Sequence, residues 1–157
     1  MGKFRLFLFV ILAALLTVSV GFAAEHNAFT AKITGQQSVP AVKTKARGEA
    51  MFNLSKDGKE LSDKLAAHDI ANVTAAHIHL GRKGESGPPL AGLFAGPEKK
   101  GTFSGILAEG KISDKELLGN LAGKSLGDLV KLIREGKTYV NVHTVAHPDG
   151  EIRGQIR

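Results

Sequence analysis

Six histidines are the residues of this sequence best suited to chemistry: His26, His68, His77, His79, His143 and His147. His77 and His79 flank one residue in a run typical of a β-strand, so both imidazoles project from the same face. His143 lies on the polar face of a later hairpin. Imidazole nitrogen suits Cu²⁺, Zn²⁺ or Ni²⁺, whereas Mg²⁺ prefers oxygen. The spacing therefore predicts a transition-metal site of His77, His79 and His143, with copper preferred and zinc as the alternative. His147 is a candidate fourth ligand.

The same histidines also have a structural interpretation. His77 and His79 would hydrogen-bond the loop backbone and pin the glycine-rich segment that follows them. Four further side chains would complete a hydrogen-bonded network that braces the terminal hairpin: Asn141, Glu151, Arg153 and Gln155. A third interpretation, a metal-dependent enzyme, needs an open coordination site beside a carboxylate in a cleft. No carboxylate has an obvious general-base role, and no nucleophile-elbow motif of a serine hydrolase is present.

The beginning of the chain has the order of a secretory signal peptide, with Lys3 and Arg5 before an apolar run at 6–20 and small residues after it. Cleavage after Ala23 fits the small-x-small rule, which gives a leader at 1–23 and a flexible mature N-terminus at 24–28. His26 would then be the third mature residue. A free amine, two backbone amides and that imidazole form a square-planar nitrogen site that selects Cu²⁺ or Ni²⁺.

Composition narrows the class of protein further. Cysteine is absent, which excludes disulfides and thiolate metal sites. Loss of the leader lowers the formal net charge from +6 to +4. The basic residues are dispersed and aromatic platforms are scarce, which argues against nucleic-acid binding. We expect a secreted or periplasmic protein that meets the membrane only through its leader. Its expected partners are envelope or matrix polymers, or another secreted protein.

The histidines must be positioned by short strands. Period-2 alternation and turn signals predict strands at 29–34, 48–55, 61–69, 72–80, 90–95 and 102–107. Capping boxes at Ser113 with Glu116 and at Ser125 with Asp128 predict one or two short helices. The sequence therefore predicts a mainly β fold. We expect an antiparallel Greek-key sandwich or barrel, immunoglobulin-like or superoxide-dismutase-like, with its helices before a C-terminal hairpin.

That hairpin is predicted from two strands around 147–150, whose Pro-Asp-Gly sequence suits a type I turn. If the turn sets the register, Val145 faces Arg153 and His143 faces Gln155. One side of the hairpin is apolar, with Val140, Val142, Ile152 and Ile156. The other side carries Asn141, His143, Arg153 and Gln155. The first is predicted to be the core face and the second to be a polar face that carries a histidine.

Four segments together resemble the CHRD (chordin-type) domain family: 75–81, 84–90, 139–144 and 148–155. The resemblance covers 29–157. The chain departs from the family at 35–40, where a Gly-x-x-Glu-Val-Pro motif has Ser38 in place of the acidic residue, and near Asp63, where an aromatic is common. The resemblance implies an exported module with no established enzymatic activity. A His-x-His strand followed by a later histidine is also similar to copper–zinc superoxide dismutases, but cysteine and a full zinc site are missing, so dismutase activity is not expected.

Overall fold

The computed structural model describes residues 27–157. These residues form seven β-strands, along which buried and exposed side chains largely alternate. The strands are β1 (Ala28–Thr34), β2 (Arg47–Leu54), β3 (Leu61–Leu80), β4 (Pro89–Phe94), β5 (Lys99–Ile112), β6 (Thr138–Thr144) and β7 (Ile152–Gln155). One α-helix, α1 (Leu126–Arg134), lies between β5 and β6. The predicted leader and His26 lie outside the described residues.

The sheet closes on itself. Strands β2, β1, β7, β6 and β3 are hydrogen-bonded neighbours in that order, and β2 also pairs with β3. All of these pairings are antiparallel. Strands β4 and β5 extend the sheet from β3. The predicted antiparallel β fold is confirmed, in the form of a five-stranded barrel with two additional strands.

The prediction of two separate strands at 61–69 and 72–80 is wrong, because both segments belong to β3. The chain runs as one strand of 20 residues, bent where Asp69 and Asn72 take positive φ values of 54° and 53°. Asp and Asn tolerate this left-handed conformation better than most residues. The Asp69 amide donates to Ser104 Oγ, and the Asn72 Oδ1 atom accepts from the Gly101 amide. The bend is therefore held by β5, and pairing resumes beyond it.

Both predicted capping boxes are confirmed. Ser113 caps a short 3₁₀ turn at Asp114–Glu116, and Ser125 caps α1. The helix buries the side chains that its spacing predicted: Leu126, Leu129, Val130 and Ile133. Two further 3₁₀ turns, at Gly35–Gln37 and Gly119–Leu121, carry no comparable signal in the sequence. Within residues 27–157, no helix is both long enough and apolar enough to cross a membrane.

The register predicted for the C-terminal hairpin is wrong by four residues. Asn141, rather than Val145, lies opposite Arg153, and Tyr139, rather than His143, lies opposite Gln155. The cause is that β6 already ends at Thr144, so residues 145–151 form a long connection instead of a tight turn. A shift by an even number leaves every side chain on its predicted face. The core face is accordingly buried, with Val140, Val142, Ile152 and Ile156 all 0% exposed.

Candidate metal centre

His77, His79 and His143 meet on the outer face of β3 and β6, away from the barrel core. His77 and His79 flank the fully buried Ile78 in β3, so the strand pleat turns both imidazoles outward. In β6, His143 lies opposite Ala75, one step diagonal to His77. Residues far apart in the chain thus become neighbours through the β3–β6 pairing.

The three rings form a triangle. Their centroids are 5.6 Å apart for His77 and His79, 5.2 Å for His77 and His143, and 5.6 Å for His79 and His143. One nitrogen from each ring lies within 4.8 Å of the other two. Zinc–nitrogen bonds are about 2.0–2.1 Å long, so an ion bound by all three needs nitrogens no more than about 4 Å apart. Small ring rotations therefore suffice to close the site.

Backbone carbonyls orient two of the rings. His79 donates from Nδ1 to the Gly87 carbonyl at 2.9 Å, and His143 donates from Nδ1 to the Pro148 carbonyl at 2.8 Å. A carbonyl only accepts, so each ring carries its proton on Nδ1 and presents the Nε2 lone pair. Such a carbonyl partner commonly fixes the tautomer of a metal-binding histidine.

Three buried ring nitrogens have no hydrogen-bond partner among the described residues: Nδ1 of His77, Nε2 of His79 and Nε2 of His143. An unsatisfied buried polar atom costs about 1–3 kcal/mol. The three rings bring one nitrogen each within 4.8 Å of the others, so a shared metal ion could satisfy all three unpartnered atoms.

Burial favours the neutral form of two of the imidazoles. Burial lowers the pKa of His77 to about 4, with smaller contributions from the neighbouring His143 and His79. Burial also lowers the pKa of His79, against the opposing effect of the Gly87 carbonyl. Neutral imidazole is the form that binds metals, so His77 and His79 need lose no proton at neutral pH for an ion to bind.

The family model for the CHRD domain matches residues 29–156. The chain belongs to the CHRD domain family. It is also 29% identical to chordin of Xenopus laevis over 146 residues, which cover 87% of this chain and 14% of chordin. The chain therefore spans about one seventh of that relative. No solved structure matches it. The CHRD domain is an extracellular-type module.

Two connections cover the histidine face of this CHRD domain. The connection from β3 to β4 contributes the Gly87 carbonyl, and the connection from β6 to β7 contributes the Pro148 carbonyl. The Gly87 amide also donates to the Tyr139 hydroxyl at 3.2 Å. The Tyr139 ring stacks on His79, with centroids 5.2 Å apart and planes at 19°. Sequence reasoning gave Tyr139 no role, because its part depends on a loop contact that strand periodicity does not reveal.

The four residues predicted to brace the hairpin all form side-chain hydrogen bonds, to partners that lie between 7 and 107 residues away in the chain. Asn141 Nδ2 donates to the Asp149 carbonyl, and Arg153 Nη2 donates to the Arg82 carbonyl. Gln155 Nε2 donates to the carbonyls of Gly81, Gly136 and Thr138.

The buried Glu151 is the fourth bracing residue. Its carboxylate accepts from Thr44 Oγ1 at 2.7 Å and from Thr144 Oγ1 at 2.8 Å. Its backbone carbonyl accepts from Ser38 Oγ at 3.0 Å. Glu151 thus ties the end of the β6–β7 connection to the segment that follows β1.

The two other histidines within residues 27–157, His68 and His147, do not belong to the triangle. His147, the candidate fourth ligand, is in the β6–β7 connection, and its backbone pairs with that of Thr144. It lines a separate depression with Val39 and Pro40. His68 pairs with Arg47 between β3 and β2. Among residues 27–157, the group whose ligand atoms converge is His77, His79 and His143.

A cavity of about 350 Å³ opens beside the triangle. His79 and His143 line it, together with Tyr139, Asn141 and Arg153. It is also lined by residues of the covering connections and by Ser38 and Val39. The histidine face therefore has a recess large enough for a small molecule.

Proposed function

We propose that this protein is an exported CHRD-domain module that binds one transition-metal ion, preferably copper, through His77 Nδ1, His79 Nε2 and His143 Nε2. The observation that carries the proposal is the convergence of three buried, partnerless imidazole nitrogens. Neutral imidazoles suit both Cu²⁺ and Zn²⁺, and the Irving–Williams order favours Cu²⁺ at such a site.

The proposal extends to location and partner. The leader-like beginning of the sequence and the extracellular type of the domain support export to the periplasm or the extracellular space. There the module would contact envelope or matrix polymers, or another secreted protein. The bracing hydrogen bonds of Asn141, Arg153 and Gln155 support a second candidate function, a metal-free structural or adhesive module.

A titration of the mature protein with Cu²⁺ and Zn²⁺ tests the metal site. All variants are made in His26→Ala, which removes the predicted N-terminal copper site. We expect His26→Ala to bind one equivalent with or without His147→Ala, and to lose this binding when His77→Ala is added. His68→Ala is the matched control, because it removes a histidine outside the triangle and should leave binding to His26→Ala unchanged. Unchanged binding after His77→Ala is added to His26→Ala would overturn the proposal.

The stability of the metal-free protein separates the two candidate functions. The Nδ1 atom of His77 has no hydrogen-bond partner among the described residues. His77→Ala should therefore change the denaturant midpoint of the metal-free protein little. If His77 instead serves the structural module, the same change should lower the free energy of unfolding by about 1–3 kcal/mol through unsatisfied buried partners.

A further inference from the structure

The cavity beside the histidine triangle has a buried cation in its wall. Arg153 is only 3% exposed and lines the cavity with His79 and His143. A buried guanidinium normally has a carboxylate or another anion as its partner. Here the guanidinium forms no ion pair with any carboxylate of residues 27–157, and its hydrogen bond goes from Nη2 to the Arg82 carbonyl.

The charge of Arg153 is stabilised by the Tyr139 ring but by no carboxylate in hydrogen-bond contact among residues 27–157. The carboxylate that acts on it most belongs to Glu85, which is exposed and already accepts a hydrogen bond from the Arg82 amide at 2.9 Å. The exposed Asp149 also lines the cavity, and its backbone carbonyl accepts a hydrogen bond from Asn141. The face of Arg153 toward Tyr139 is covered by the ring, whose centroid is 3.5 Å from the guanidinium carbon.

The triangle supplies three ligands, and an ion held by three protein ligands keeps a coordination position for a water or another small ligand. His79 and His143, but not His77, line the cavity. The side of the triangle away from His77 is thus where an outside ligand could reach the ion. Arg153 and the metal would then act on one and the same small molecule.

We propose that the cavity binds a small anion, an inorganic monoanion or a short carboxylate, which ligates the metal and is held by the guanidinium of Arg153. This inference rests on the proposed metal site. It adds to that function, because the metal would then bind an exchangeable anion from solution as well as the three histidines. A planar guanidinium matches the geometry of a carboxylate, and charge-assisted hydrogen bonds are about twice as strong as neutral ones.

Azide is a suitable probe, because its binding to Cu²⁺ produces an azide-to-copper charge-transfer band. The copper affinity of each variant is measured first, without azide. We then expect the band to saturate in the copper-loaded wild type. Arg153→Gln should weaken azide binding by about tenfold to a hundredfold, while Arg47→Gln, which changes an exposed arginine of β2, should leave it unchanged.

Ser38→Glu provides a second test that keeps Arg153 in place. Ser38 lines the same cavity, so a glutamate there would offer Arg153 an internal carboxylate and should weaken azide binding without loss of copper. This variant decides the matter if Arg153→Gln does not fold.

The possible failures are distinguishable. Absence of copper binding in the wild type overturns the metal site and the anion site together. Copper binding without an azide band overturns the anion site alone. Equal azide affinity in the wild type, Arg153→Gln and Ser38→Glu also overturns it, because the guanidinium would then have no part in holding the anion.

Discussion

The Nδ1 atom of His79 donates to the Gly87 carbonyl at 2.9 Å, and the Gly87 amide donates to the Tyr139 hydroxyl at 3.2 Å. Gly87 therefore contacts both the ring of the proposed ligand His79 and the Tyr139 ring stacked on it. A Cβ at position 87 would lie 2.1 Å from the Leu80 carbonyl oxygen, which no side chain tolerates. The backbone of the β3–β4 connection can take this path only with glycine at that position.

Gly87→Ala should thus push the connection away from His79 and release its ring. Loss of a partner that orients a metal ligand typically costs about 10–100-fold in metal affinity, and we expect a fall in Cu²⁺ affinity of that size in a competition titration. Gly92→Ala is the control, since a Cβ at that exposed position in β4 meets no atom within 4 Å. Equal affinities in the two variants would show that the Gly87 carbonyl does not position His79.

Glu151 should contribute to stability rather than to metal binding. Its buried carboxylate accepts hydrogen bonds from the Thr44 and Thr144 hydroxyls. Glu151→Ala therefore leaves both hydroxyls without this acceptor. We expect the free energy of unfolding to fall by about 2–3 kcal/mol in a denaturant titration. Glu49→Ala, in an exposed position of β2, should change it by less than about 0.5 kcal/mol. A similar small effect of both changes would refute the bracing role of Glu151.

Asp63 should make stability depend on pH. Burial raises the pKa of this carboxyl to about 6 from 3.8, and its Oδ1 atom has no hydrogen-bond partner among the described residues. The ionised form is thus disfavoured in the folded protein. Above pH 6 this penalty is fully present. As the pH falls from 6 toward 3.8, the folded protein takes up a proton before the unfolded chain does, and Asp63 destabilises the fold progressively less.

Asp63→Asn removes the charge while keeping the shape. At pH 7 it should raise the free energy of unfolding by on the order of 1–2 kcal/mol, and the gain should vanish near pH 4. Denaturant midpoints measured across that range would check this. Asp69→Asn is unsuitable as a control because Asp69 pairs with Arg47; the exposed Asp149, changed to Asn, should leave this pH dependence intact. A gain for Asp63→Asn that is the same at both pH values would contradict the proposed cause.

The shared face of the three histidines was predictable, because side chains alternate between the two faces of a strand and residues an even number of positions apart lie on the same face. The alternation along β3 and β6 placed His77, His79 and His143 outward, and that outcome survived an error of four residues in the hairpin register. The register itself was not predictable, because the Pro-Asp-Gly turn lies inside a longer connection that Glu151 and Asn141 hold through side chains. Local turn chemistry does not predict these side-chain contacts, which join the connection to Asn141 and Thr144 of β6.

The continuity of β3 and the cavity were also beyond sequence reasoning. Asp69 and Asn72 look like a strand boundary, yet the Asp69 amide and the Asn72 side-chain oxygen hydrogen-bond to β5, which lies more than 25 residues further along the chain. The cavity arises where loops from three parts of the chain cover one face, so Ser38 and Arg153 share it with His79 only in the folded state.

The closure of the barrel has a kinetic consequence. Thr30 and Arg157 exchange two backbone hydrogen bonds, of 2.8 and 2.9 Å. β1 can therefore complete its contacts in the barrel only after Arg157 has reached it. His143 likewise reaches His77 only when β6 docks on β3. Pairings so distant in sequence form slowly. We therefore expect copper uptake during refolding to lag behind the first formation of strands, so that the metal would report the arrival of the C-terminal hairpin.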